Sequence, residues 1–282
     1  MSETPNALRR LLRRTLTVLL VLAAVAAAAA LTLTLSIPLR HSSTPPVAEK
    51  IAIIVSPHPD DETYAMGQTI ATQDLEGVRT VAVLVTDGDS SAFVEWWAQE
   101  HGRDMDDDGD IDRWDFGLAR REEYGRALEI LGVDDVVFLG AADSQGTSGF
   151  EDGNVKASKL EQALSKIAGD NPGAAWFTIA PYESERWYQG DYKNHPDHGE
   201  VALAVANVAH QQGEKAYWFK AYVYYLPPFA RFAPVRVEGT PEARERKRAA
   251  IEAFSVIGGK STPKLFSATS KDEAEYLVPA SD

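Results

Sequence analysis

The chain has 282 residues, no cysteine, and 28 basic against 42 acidic side chains, a formal charge of −14. Without cysteine there is no disulfide framework, no Cys-held zinc or Fe–S cluster and no thiol nucleophile, so any metal must sit on His, Asp or Glu. The acidity argues against nucleic acid as a partner, because a phosphate backbone asks for a basic patch.

The charge is split along the chain. Arg9, Arg10, Arg13, Arg14 and Arg40 against Glu3 give residues 1–40 a charge of +4, which leaves −18 on the other 242. Thr15–Leu39 carries no charged residue over 25 positions, enough for a helix to cross a bilayer. With four arginines ahead of it, the positive-inside rule holds the 1–14 stub in the cytoplasm and puts everything beyond residue 40 outside. The expectation is a membrane anchor at 15–39. A cleaved signal sequence, giving a secreted protein, is the rival, and the run Ala23–Ala30 offers small-residue cleavage sites. Residues 40–49 read as a polar linker and 50–282 as the folded domain.

Lys50–Pro57 is a short β-branched run of the kind buried in parallel sheets. A helix follows over Asp61–Glu76, then a strand over Arg79–Thr86. A polar, aromatic and acidic stretch runs to about Gly117. Beyond it the pattern predicts a helix at 118–131, a strand at 136–139, a helix at 155–167 and a strand at 175–180. A helix at 198–210, a strand at 221–226 and a helix at 241–254 complete the domain. This alternation means βαβ units: an α/β, Rossmann-like, mainly parallel sheet with helices on both faces, preceded by one N-terminal transmembrane helix. Ligands in such folds bind beyond the carboxyl ends of the strands, so the loops at 57–62, 87–117, 140–154 and 181–197 should face one crevice.

Two of those loops carry histidine–aspartate motifs. Pro57-His58-Pro59-Asp60-Asp61-Glu62 follows the first strand, and His195-Pro196-Asp197-His198 opens a later helix. Each can be read alone as acidic or polar helix capping. Three of the six histidines fall in these motifs, however, and both motifs lie on the switch side of one sheet. One carboxylate with two imidazoles makes a site that zinc commonly takes while leaving room for water. A second aspartate beside it can act as general base, and a further histidine can stabilise an oxyanion.

The pattern resembles the PIG-L/LmbE-like de-N-acetylases, zinc hydrolases that remove acetyl from N-acetylglucosamine units. The motifs that carry the resemblance are PHPDDE at 57–62 and HPDH at 195–198. TDG at 86–88, RREEYGRALEILGV at 120–133, FLGAAD at 138–143 and KRAAIEAFS at 247–255 match more loosely. The resemblance implies that His58, Asp61 and His198 bind Zn2+. It implies Asp60 as the general base on a zinc-bound water, His195 as the cation or acid that stabilises the oxyanion and assists amine departure, and Asp197 as the residue that orients His195. Some members carry a carbonyl-polarising Tyr shortly before the second motif, and Tyr192 stands nearby. Arg120 and Arg121 read either as substrate contacts or as helix-surface arginines, and Asp143 either as pocket lining or as a loop cap.

Residues 104–115 match the EF-hand loop rule, with Asp104, Asp106, Asp108, Asp112 and Asp115 at positions 1, 3, 5, 9 and 12 and Gly109 at position 6. Asp110 at position 7 would offer its carbonyl, and Asp115 replaces the usual bidentate Glu. Flanking helices are not evident, and Gly102 and Phe116-Gly117 point to an inserted loop. Eight acids between 100 and 115 repel one another without a cation, so Ca2+ is expected. Trp96, Trp97, Trp114, Tyr182, Trp187, Tyr188 and Tyr192 cluster in the two long loops and as a group favour a sugar substrate. The expected function is de-N-acetylation of an N-acetylglucosamine-containing glycan, glycolipid or glycoconjugate outside the cytoplasm. An amidase for a non-sugar conjugate and a catalytically silent glycan-binding module are the alternatives.

Overall fold

The computed structural model describes residues 42–180, 195–220, 235–254 and 275–278, together with Thr15, Thr17, Leu19 and Leu22. The chain divides into two compact units, residues 1–40 and 41–282. In the first, the four described positions are helical, and Leu19 and Leu22 are exposed. The rest of the 15–39 span and the 1–14 stub lie outside the described residues. Among the described residues no helix is long and apolar enough to cross a membrane.

Among the described residues, the second unit is built on an eight-stranded sheet. Its elements are β1 (Ser42–Ser43), β2 (Ile51–Ser56), α1 (Asp61–Leu75), β3 (Arg79–Leu84), α2 (Val94–Glu100), α3 (Arg113–Leu131) and β4 (Asp135–Phe138). A 3-10 turn at Ala142–Ser144 follows, then α4 (Ala157–Asp170), β5 (Ala174–Ile179), α5 (Pro196–Gln212), β6 (Lys215–Phe219), β7 (Val235–Val237), α6 (Pro241–Ala253) and β8 (Glu275–Val278). The strand order is β1-β7-β8-β6-β5-β2-β3-β4. Strands β6, β5, β2, β3 and β4 are parallel neighbours, whereas β8 runs antiparallel to both β6 and β7.

The run IAIIVS reads as continuous apolar sequence because both faces of β2 are covered. Successive side chains alternate between two cores. Ala52 and Ile54 pack with Ala82, Leu84 and Phe177 beneath α1, α3 and α6, through Ile70, Tyr124, Leu128 and Ala250. Ile53 and Val55 pack with Val81, Val83 and Trp176 beneath α4 and α5, through Leu160, Leu164, Val201, Val205 and Val208. The α/β sheet with helices on both faces is therefore as expected.

Three differences from the sequence expectation are informative. The stretch 87–117 contains α2 and the first turn of α3, which begins at Arg113 rather than Leu118. Trp114 and the buried Phe116 sit in that turn, but neither marks where a helix begins. Its signal is a capping box instead: Asp112 accepts from Trp114 N at 2.7 Å, and Asp115 accepts from Asp112 N at 2.9 Å. Strands β1, β6, β7 and β8 also fall outside the expected elements; β6 lies at 215–219, and the other three are only two to four residues long. The expected strand at 221–226 lies outside the described residues.

Helix α1 breaks at Met66 (φ −141°, ψ 21°). The break leaves the next turn without its own carbonyl acceptors, and Glu275 of β8 replaces them. Its carboxylate accepts from Gln68 N at 2.6 Å, Thr69 N at 3.0 Å and Thr69 Oγ1 at 2.6 Å. Lys247 of α6 donates to the same carboxylate at 3.0 Å, and both charged groups are buried. Removing one partner of a buried pair strands the other charge. Lys247→Met should therefore cost about 3–5 kcal/mol in urea unfolding, with partial recovery in the Lys247→Met/Glu275→Gln double variant. A loss below about 1 kcal/mol would mean the pair is dispensable.

Candidate metal centre

Strands β2 and β5 are adjacent, yet β2 continues to β3 on one side and β5 to β6 on the other. Their carboxyl ends therefore flank the point where the strand order reverses, which opens a crevice. From β2 the chain passes through Pro57-His58-Pro59-Asp60 into α1, whose first residue is Asp61. On the other flank His195 caps α5 in an extended conformation, Pro196 fills the first helical position, and Asp197 and His198 lie in the first turn.

These two entrances bring three donor atoms together. His58 Nδ1 lies 3.0 Å from Asp61 Oδ2, His198 Nε2 lies 3.1 Å from the same oxygen, and the two nitrogens are 3.3 Å apart. All three side chains are buried. The edges of a zinc tetrahedron with bonds near 2.0–2.1 Å are about 3.3 Å, so the triangle fits a zinc ion in size and in donor type. Its charge fits as well. Burial by itself lowers the His58 pKa, but Asp152, Asp197 and Asp61 outweigh it and raise it well above the usual value. A site that crowds three carboxylates around one imidazole is a site for a cation. Asp61 is held well below the usual carboxylate range despite its burial, by His198 and His58.

A second layer surrounds the triangle. Asp152 Oδ1 lies 3.3 Å from His58 Nε2 and 3.1 Å from His195 Nε2. Asp197 lies 3.6 Å from His195 Nδ1, beyond hydrogen-bond reach, and accepts instead from Gly153 N at 2.8 Å and Val155 N at 3.1 Å. Asp152 was not singled out in the sequence. Within Gly149-Phe150-Glu151-Asp152-Gly153 it looks like an ordinary turn acid, and nothing local marks it.

Asp60 has φ 110°, a left-handed conformation that is strained for a residue with a side chain. Arg120 braces it. One amino group of its guanidinium donates to Pro59 O and to Asp60 Oδ2 (3.2 Å), and the other to Gly88 O at 3.2 Å. The fit requires glycine at 88, since a Cβ there would stand 1.9 Å from the guanidinium. Burial pushes the Asp60 pKa up, Arg120 opposes the shift, and Asp61 and Glu62 add to it. Arg121 clamps Asp87 through two hydrogen bonds and reaches Asp143 at 3.4 Å, while Asp87 also accepts from Ala142 N. Both arginines thus tie the crevice loops together.

The acidic loop lies between two helices rather than in a plain insertion. Helix α2 ends at Glu100, and α3 begins at Arg113, position 10 of the motif. Asp104 accepts from Gly109 N at 2.9 Å and Asp108 from Asp110 N at 2.9 Å. Asp104, Asp106 and Asp115 offer carboxylate oxygens within 4.8 Å of one another. Asp112 serves as the α3 cap, Asp108 and Asp106 receive Gln145, and Asp110 is exposed. Of the aromatic group, Trp97 is buried against Phe116, Trp114 lies under Arg113, and Trp96 packs on His101. Tyr182, Trp187, Tyr188 and Tyr192 lie outside the described residues.

A protein-family model described as "PIG-L: GlcNAc-PI de-N-acetylase" matches residues 53–209, more than half of the chain. A Bacillus cereus protein named "Probable N-acetyl-alpha-D-glucosaminyl L-malate deacetylase 2" is 30% identical over 157 residues, 56% of this chain and 60% of the relative. The chain thus spans less than two thirds of that protein. Among solved structures, the N,N'-diacetylchitobiose deacetylase of Pyrococcus horikoshii superposes with a TM-score of 0.56 at 19% identity, covering 81% of this chain and 82% of that one. The 4-carboxy-2-hydroxymuconate hydratase of Pseudomonas putida superposes at 0.58 and 16% identity, covering 83% and 97%. At these identities the likeness shows the fold, and the hydratase illustrates that the fold hosts more than one reaction.

The triangle predicts tight binding of one transition-metal ion by the metal-stripped folded domain, and loss of that binding in Asp61→Ala, measured by elemental analysis after dialysis. Full metal content in Asp61→Ala would place the ion elsewhere.

Proposed function

The chain belongs to the PIG-L family of de-N-acetylases, and from that premise we propose that it is a metal-dependent hydrolase that removes acetyl from an N-acetylglucosamine-containing substrate. The observation that carries the reading is the convergence of His58, Asp61 and His198 with a strained Asp60 at their edge. The two deacetylases described above share an N-acetylglucosamine unit in their named substrates, which supports the substrate class.

His58, Asp61 and His198 would hold zinc, which when bound supplies Lewis acidity to the acetyl carbonyl and acidity to a water. Asp60 is the general base: its environment raises its basicity, and its carboxylate takes the proton from the attacking water. The same carboxyl then returns that proton to the departing nitrogen, so that acetate and a free amine leave. His195, at the rim with Asp152 at 3.1 Å, is placed to stabilise negative charge on the carbonyl oxygen. The +4 charge of residues 1–40 and the uncharged 15–39 span support a reaction outside the cytoplasm.

For the acidic loop, the helix–loop–helix setting and the approach of Asp104, Asp106 and Asp115 support Ca2+ as a second, structural ion.

Acetate release from N-acetylglucosamine conjugates tests the main reading. Asp60→Asn should lower kcat about 10²- to 10⁴-fold while the metal stays bound. Activity should vanish on chelation and return with zinc. Amide hydrolysis confined to non-sugar N-acyl conjugates would replace the substrate class, and sugar binding without turnover would replace the enzyme reading. For the loop, millimolar calcium should raise Tm by several degrees in the parent and not in Asp104→Ala, as scanning calorimetry would read. An unchanged parent Tm would count against calcium.

A further inference from the structure

The geometry points to Asp152 as a positioning residue for this centre: one of its carboxylate oxygens faces both His58 and His195 and orients their rings. The inference rests on the metal-dependent reading above, though its first test needs no substrate.

Asp152 Oδ1 lies 3.3 Å from His58 Nε2 and 3.1 Å from His195 Nε2, and the side chain is only 6% exposed. His58 presents its other nitrogen, Nδ1, to Asp61 and His198. An imidazole that gives one nitrogen to a metal must carry its proton on the other, and an acceptor there fixes both tautomer and ring orientation. Asp152 is the nearest carboxylate to that nitrogen, with Asp197 at 3.5 Å. The same oxygen faces His195, whose ring meets the His58 ring edge-on with centroids 4.2 Å apart. One carboxylate oxygen thereby fixes the orientation of a metal ligand and of the rim histidine.

The support of Asp152 is separate from these contacts. Its second oxygen accepts from Ser90 N at 3.1 Å, and its carbonyl accepts from Ser90 Oγ at 3.2 Å. Asp197 binds the backbone of Gly153 and Val155 beside it. The work is divided between the two acids. Asp197 fastens the loop, and Asp152, carried by that loop, faces the imidazoles. This differs from the role that the family resemblance gives Asp197.

Asp152→Asn separates positioning from bracing. An asparagine can still accept from Ser90 N, so a merely bracing residue would leave the centre unchanged. Its amide, however, would meet the two imidazole N–H groups with donors. Zinc affinity, measured by chelator competition without substrate, should fall about 10- to 100-fold. On a substrate that is turned over, kcat should fall with KM nearly constant. Zinc affinity within twofold of the parent would overturn the proposal. Should the variant fail to fold, nitrogen-15 histidine spectra of the zinc-loaded parent decide the matter. A proton on His58 Nε2 supports the assignment, and a proton on Nδ1 overturns it.

Discussion

The structure depends on one buried carboxylate oxygen shared by two imidazoles. Asp61 Oδ2 stands 3.0 Å from His58 and 3.1 Å from His198, although the two histidines are 140 positions apart in sequence. Such a cluster is electrostatically expensive unless a cation or a proton balances it. What brings it about is the sheet. β2 and β5 lie side by side, and each opens into a helix whose first turn carries the acid or the histidine. The helix N-termini favour the carboxylates of Asp61 and Asp197 at those positions.

The loops around the crevice are bound to one another by charge rather than by apolar packing. Arg113 bridges Asp89 and Glu151, Arg120 braces Pro59, Asp60 and Gly88, and Arg121 holds Asp87. These contacts are mostly buried, where ion pairs and hydrogen bonds are strong but tolerate little loss. The result is a site whose reactive groups sit on helix entrances and whose walls are fixed by arginines from one helix, α3. The strain at Asp60 persists because Arg120 holds both the Pro59 carbonyl that precedes it and the Asp60 carboxylate.

The parallel core was legible because strands buried on both faces must be apolar, and the runs IAIIV at 51–55 and VAVL at 81–84 are. Both histidine motifs were legible because chemistry-bearing residues were packed into a six-residue run at a strand end and a four-residue run at a helix entrance. The start of α3 was hidden by its own capping box. Asp112 and Asp115 read as cation ligands, and the structure employs them first as hydrogen-bond acceptors for backbone N–H groups. Asp152 left no local trace, since its function comes from the approach of two loops and two histidines remote in sequence. The kink of α1 at Met66 and its repair by Glu275 were equally hidden, because the acid that repairs it lies 206 and 207 positions from the amides it receives.

The most direct test of the central claim is X-ray absorption at the zinc edge of the zinc-loaded domain. Two imidazole nitrogens from His58 and His198, with oxygen completing the sphere from Asp61 and solvent, is the result that the shared-carboxylate geometry predicts. A third imidazole in the sphere, or none, would contradict it.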